Sequence, residues 1–329
     1  MKIGLIYEIT GNPYFSDGPM EFSNKISEYV YPSEINDLCR SFECLGFDYK
    51  IIDGPQELIS SLNQGDLCDL YFNKSIGFKG LERKIAVPAI LLRYNLPIVG
   101  SSAYCMTLAR HKFHTNRLLK GMGFNVPNAW YVCNINDIPM NLSFPVIIKP
   151  NEESDSLGIS ESSVYTSQVG IDEHIEYLLK TFNQPIIIEE FIEGEEWKMA
   201  VIGNGIECRT YGGVNSLKNG KSMCGTLQTR EDILQNTLSY EDIKYSPLYS
   251  QSSSIAEKIH RFLGLNDYSR CDFRLKNNNI YCMEVSTHPY IADSEASSFV
   301  KAAKQNLGYY NNIIEQLIKV SCRRYGILL

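Results

Sequence analysis

Two acidic residues near the carboxyl end, Asp272 and Glu284, flank a turn and are spaced to face each other. The runs Cys271–Leu275 and Ile280–Val285 each alternate. Between them, Lys276-Asn277-Asn278-Asn279 is turn chemistry, because Asn tolerates left-handed backbone angles. A turn centred on Asn278 pairs 272 with 284, 274 with 282 and 270 with 286. Directly opposed side chains lie roughly 5 Å apart at Cβ, where like charges destabilise. A divalent cation between the carboxylates resolves that conflict. Oxygen-only ligation suits Mg²⁺, which takes one or two carboxylates plus substrate phosphates. A surface hairpin with two solvated acids satisfies the same spacing.

A second cluster lies earlier. Phe144–Pro150 is a short β run containing Lys149, and residues 151–160 after it are polar and small. Backbone N–H groups and a lysine in such a place can hold triphosphate oxygens. The loop is neither a Walker A sequence nor a dinucleotide fingerprint. An exposed loop beside a surface lysine reads the same way.

The elements that must position these groups follow from the rest of the chain. With 329 residues, two or three domains are expected. The 44% hydrophobic and 21% charged content is ordinary for a globular protein. A net charge of −7 argues against general binding to nucleic acid or anionic membrane. None of the ten cysteines forms a C-x-x-C pair, so reduced thiols in a cytoplasmic protein are expected rather than zinc ligands. No apolar stretch reaches the ~18 residues of a membrane span.

Residues 2–7 read as a buried strand. Ile35, Leu38, Cys39, Phe42 and Leu45 recur at helical spacing, with Gly46 as a stop. Strands at 49–53, 69–73 and 96–100 and a helix at 87–93 complete a doubly wound parallel domain over 1–100. A helix over 103–120, the β run with Lys149, a helix at 171–181 and a strand at 186–190 make a small α/β unit over 101–188. The last part, 189–329, is α+β. It holds strands at 197–202 and 206–211, a Gly/Ser/Asn-rich segment, the acidic hairpin, and helices near 252–263, 294–306 and 309–320.

Five segments (Phe144–Pro150, Asp155–Ile159, Ile187–Glu196, Arg270–Phe273 and Glu284–Pro289) resemble, in order and spacing, the ATP-grasp ligases, and among them the D-alanine–D-alanine ligases. The stretch from Asn73 to Leu91, with Gly77, Gly80, Glu82, Arg83 and Val87-Pro88-Ala89, is similar to that family's N-x₃-G-x₂-G…V-P-A-x-L pattern. So are Ile98–Ser102 and Leu108–Leu119 to its next two segments.

The resemblance implies an ATP-grasp fold with the nucleotide between two antiparallel sheets, and a homodimer. It implies that Lys112 and Lys149 hold phosphates and that Ser156 and Gly158 cover them. Glu189, Glu190 and Ile192 would meet adenine, and Glu196 would hold ribose. Asp272 and Glu284 would bind two Mg²⁺ ions, for which Mn²⁺ can substitute, and Arg270 would stabilise the reacting oxyanion. The implied chemistry is transfer of the γ-phosphoryl of ATP to a carboxylate, followed by attack of an amine on the acyl-phosphate. Such a transition state needs positioning and charge rather than a protein nucleophile. No Ser-His-Asp or Cys-His set is expected.

Departures from the pattern bear on substrate. Ser286 stands where the family has Asn, as the last metal ligand, and His288 and Tyr290 lie in the following substrate segment. Asp155 replaces the family's Ser beside the phosphate loop. The early Glu-bearing segment of D-alanine–D-alanine ligases has no match over 8–30, where Glu8 and Glu21 read as solvated acids. Tyr211–Arg230 resembles a mobile loop, with Lys218 or Lys221 reaching the γ-phosphate. The expectation is a ligase that joins another carboxylate to an amino acid or amine. The alternatives are a diverged D-alanine–D-alanine ligase and a nucleotide-binding protein without ligase activity.

Overall fold

The computed structural model describes residues 1–9, 30–77, 82–229, 232, 235 and 237–329; Glu21, Gly80 and Arg230 lie outside them. Four parallel strands, β1 (Lys2–Tyr7), β2 (Asp48–Asp53), β3 (Leu70–Asn73) and β4 (Ile98–Val99), form the first sheet in the order β2-β1-β3-β4. Parallel sheets are covered on both faces, which is why β1 and β3 are apolar and buried along most of their length. Helices α1 (Pro32–Cys44), α2 (Gly54–Asn63) and α3 (Ala86–Arg93) pack on this sheet. Pro32 presets the first turn of α1, and Gly46 leaves it at φ +74°. Alpha2 is an element the periodicity did not reveal.

The helix expected over 103–120 is two helices, α4 (Ala103–Arg110) and α5 (Lys112–Gly121). His111 breaks them with ψ 91°, and its Nδ1 caps α5 by accepting from the His114 N–H at 3.3 Å. The break brings the backbone N–H of Lys112 to Asn151 O at 3.1 Å. Strands β5 (Ala129–Val132), β6 (Val146–Pro150), β7 (Val164–Tyr165) and β8 (Ile186–Glu190) form an antiparallel sheet in the order β5-β8-β6-β7. Its even-numbered residues, Val146, Ile148, Ile186 and Ile188, pack on Ile171, Ile175 and Leu178 of α6 (Ile171–Phe182). Alternation therefore turns Lys149 and Glu189 to the opposite face.

The third sheet has β9 (Glu195–Ile202), β10 (Arg209–Lys218), β11 (Lys221–Ser222), β12 (Leu238–Asp242), β13 (Tyr268–Lys276) and β14 (Asn279–Ser286). Their order is β11-β10-β9-β13-β14, with β12 on β10. Helices α7 (Tyr249–Phe262), α8 (Ser298–Leu307) and α9 (Tyr310–Tyr325) follow. Two expectations are corrected here. The strand expected at 206–211 starts at Arg209 and runs to Lys218, so Tyr211–Lys218 is sheet rather than mobile loop. Gly212 and Gly213 misled the reading because they serve packing. A Cβ at Gly212 would lie 1.9 Å from Ala302 O on α8, and one at Gly213 2.5 Å from Met199 Sδ. No helix among the described residues is long and apolar enough to cross a membrane.

The hairpin register is partly as expected. Arg270 pairs with Ser286 and Asp272 with Glu284, but Arg274 pairs with Tyr281 and Phe273 with Cys282. The turn is the two-residue Asn277-Asn278, both with positive φ. A bulge between Asp272 and Phe273 leaves Met283 as the extra residue. Without that bulge, the turn would set Met283, not Glu284, opposite Asp272.

Candidate active site

One face of the third sheet is apolar. Trp197, Met199 and Val201 of β9 join Cys271, Phe273, Cys282 and Val285 against Ala256 and Ile259 of α7. Period-two alternation sends the intervening residues to the other face. Cross-strand pairing there sets Arg274 beside Glu196, and Asp272 beside both Lys198 and Glu284. Further along the same face, Ala200 packs in the core that contains Phe299 and Ala302 of α8, which bounds the charged stripe.

Within the stripe every charge meets an opposite one. Arg270 places Nε 2.6 Å from Asp272 Oδ1 and Nη2 2.7 Å from Oδ2. Lys198 Nζ lies 3.2 Å from Asp272 Oδ2 and 2.8 Å from Glu196 Oε1. Arg274 Nη2 donates to Glu196 Oε2 at 3.0 Å. Burial pushes the Glu196 carboxyl up, but Lys198 and Arg274 outweigh it and hold it at about 2. Burial likewise opposes ionisation of Asp272, and Arg270 and Lys198 hold it below the usual carboxylate range. Lys198 and Arg274 escaped the sequence reading. For Lys198 a partial signal was present, a lysine two residues after Glu196 in a strand that is otherwise apolar from Trp197 to Ile202.

Glu284, a third exposed, puts Oε1 3.8 Å from Lys112 Nζ. Lys112 also donates to Glu153 O. The start of α5 therefore reaches across to the hairpin. Asp272 and Glu284 are directly opposed, with Ser286 two residues on. Among the described residues no group of three or more His, Cys, Asp or Glu is arranged to hold a metal ion. Two opposed carboxylates and a hydroxyl nevertheless fit a hard cation that takes its other ligands from phosphate and water.

On the facing sheet, Lys149 Nζ and Glu189 Oε2 form an ion pair at 2.5 Å. The loop after β6 holds Asp155 and Ser156 in left-handed backbone at φ +53° and +57°. Gly158 follows at φ +77°, and a Cβ there would come 2.6 Å from Pro150 Cγ. The Glu190 N–H donates to Asn128 O at 2.8 Å. Ile192 is buried beyond the end of β8.

The two loop lysines differ. Lys218 Nζ joins Glu161 at 2.8 Å and Asp232 at 2.9 Å, bridging the second and third sheets' loops. Lys221 is exposed on β11. The substrate segment is partly buried against the first domain. The Tyr290 hydroxyl lies 3.1 Å from Ser33 Oγ, and its ring meets Tyr31 edge-on at 5.6 Å. His288 beside it is partly buried. The expectation that Glu8 is a solvated acid is corrected. Glu8 is buried, accepting from the N–H groups of Ile76 at 2.9 Å and Gly77 at 3.1 Å, and from Ser75 Oγ.

Three sheets in this order and two facing clusters of charge make this an ATP-grasp fold. D-alanine–D-alanine ligase from Bacillus anthracis, solved in complex with ATP, superimposes with TM-score 0.73 at 18% identity, covering 99% of both chains. The VanG D-Ala:D-Ser ligase from Enterococcus faecalis does so with TM-score 0.73 at 18% identity, covering 97% of this chain and 99% of that one. A family model described as "D-ala D-ala ligase C-terminus" matches residues 130–319, more than half of the chain, and the chain belongs to that family. The D-alanine–D-alanine ligase of Aquifex aeolicus is 26% identical over 237 residues, covering 70% of this chain and 76% of that protein. The protein is thus an ATP-grasp carbon–nitrogen ligase of the D-alanine–D-alanine ligase type.

Proposed function

We propose that the protein uses ATP and Mg²⁺ to join a carboxylic acid other than D-alanine to an amino acid or amine through an acyl-phosphate. The observation that carries the substrate half of this reading is Glu8. Its carboxylate is closed in by Ser75, Ile76 and Gly77, so Glu8 is not offered to a substrate amino group. Tyr290, packed on Tyr31 and Ser33, adds a large ring in the substrate segment.

In this reading Lys149 and Lys112 hold phosphate oxygens, with Ser156 and Gly158 closing the loop over them. Glu196 takes the ribose hydroxyls, and Glu189 the adenine edge. Asp272, Glu284 and Ser286 hold Mg²⁺, which neutralises charge on the transferring phosphoryl group when bound. Arg270, fixed by its fork on Asp272, presents its remaining N–H groups to the oxyanion that forms when the amine attacks. Asp155, His288 and Tyr290 contact the substrates. Lys218 is preferred over Lys221 as the lysine for the γ-phosphate, because it bridges the loops that would cover it.

The names of the relatives favour a second reading, synthesis of D-alanyl-D-alanine. A screen of amino acids and dipeptides with ATP and Mg²⁺, read by phosphate release and product mass, separates the two. Turnover with D-alanine alone supports the second reading and ends the first. Glu284→Gln should abolish turnover while leaving the melting temperature within about 2 °C, since Glu284 is partly exposed. Full activity in that variant refutes the mechanism.

A further inference from the structure

We infer that Lys198 is a positioning residue that ties the nucleotide end of the site to its metal end, an inference that rests on the roles given above to Glu196 and Asp272. The residue is 4% exposed, and its ammonium lies 2.8 Å from Glu196 and 3.2 Å from Asp272. Neither acid needs it for neutralisation. Glu196 has Arg274 at 3.0 Å, and Asp272 has both arms of the Arg270 fork. A buried ammonium carries a large desolvation cost, and an apolar residue of similar volume often serves stability as well or better. What the charge adds is a link between two carboxylates that sit on adjacent strands.

The link has a direction. A fixed positive charge beside Asp272 opposes an arriving divalent cation. The same charge offsets the acids that would otherwise repel a polyphosphate. On the stripe Glu196 and Asp272 meet Lys198, Arg270 and Arg274, and Glu284 meets Lys112. Removing Lys198 makes the stripe one unit charge more negative. Nucleotide and metal affinities should therefore move in opposite directions, whereas a packing defect weakens both.

The test measures two quantities in wild type and variants. One is the affinity for ADP in EDTA, by calorimetry. The other is the Mg²⁺ concentration that half-saturates the ADP-loaded protein, read as melting temperature. Lys198→Met should weaken metal-free ADP about tenfold and lower the Mg²⁺ midpoint about threefold, in line with one unit charge screened at a partly wet site. Lys198→Arg keeps the charge and should leave both within about 1.5-fold. Glu196→Gln gives Lys198 wholly to Asp272 and should raise the Mg²⁺ midpoint. It carries the test alone if Lys198→Met does not fold. Weakening of both quantities in Lys198→Met, or an unchanged Mg²⁺ midpoint in Glu196→Gln, overturns the assignment. Failure of wild type to bind ADP or Mg-ATP instead removes the ATP reading on which it rests.

Discussion

Arg274 is the side chain whose removal should be felt most widely. Its guanidinium is buried and donates to Gly194 O at 3.2 Å, Met223 O at 3.2 Å and Thr226 O at 2.7 Å, besides Glu196. It also stacks over Phe191 with 5.6 Å to the ring centroid. One residue thus gathers the turn before β9, the loop after β11 and the acid expected to hold ribose. Arg274→Met keeps most of the stem volume but leaves three carbonyls without their donor. Hydrogen bonds to charged groups contribute about 1.5–3 kcal/mol each. Taking the lower end, and letting water reach part of the site, the loss is about 3–5 kcal/mol. Unfolding entropy of roughly 2 cal/mol/K per residue converts that to a fall in melting temperature of about 4–7 °C for a chain of 329 residues. Differential scanning calorimetry measures it, and ATP affinity should fall in the same variant because Glu196 loses its orienting partner. A shift under about 1 °C with ATP binding intact would refute the reasoning.

His260 on α7 is fully buried, with Nδ1 2.7 Å from Ser269 Oγ and Nε2 3.0 Å from Gly203 O. Burial pushes its pKa down from 6.5 to about 4. A depressed folded pKa means the stabilisation is complete above 6.5 and lost as pH falls through 4. The difference amounts to about 3 kcal/mol. Denaturant midpoints should fall over that window in wild type, and His260→Gln should flatten the slope; an identical slope removes His260 as its cause. Lys218→Ala should lower kcat about a hundredfold, the scale of removing one fixed charge from a transition state. Lys221→Ala should stay within twofold, and steady-state kinetics showing the reverse order would reassign the two lysines.

Much of the fold was legible because buried strands and amphipathic helices carry periodic signals. The parallel strands of the first sheet and α1 are such cases, as are Ile186–Glu190 and the terminal helices. Beta10 was cut short in the reading because Gly212 and Gly213 look like loop until α8 is seen against them. The helix over 103–120 hid a break, because nothing in the residue pattern marks His111 as a cap. Lys198 and Arg274 were overlooked since a charge in a strand signals only exposure until its cross-strand partner is known.

The chain's residue pattern alone pointed to the family and singled out Asp272, Glu284, Lys112 and Lys149 as candidates, because spacing within a strand or motif is a local property. Tertiary structure alone decided three further things. The bulge at Met283 brings Glu284 opposite Asp272. Glu8 is sealed by the 75–77 turn. Lys198 is shared between two acids on strands β9 and β13. These depend on which strands become neighbours and in what register, and the free energy that selects a register comes from burying the opposite, apolar face of the sheet.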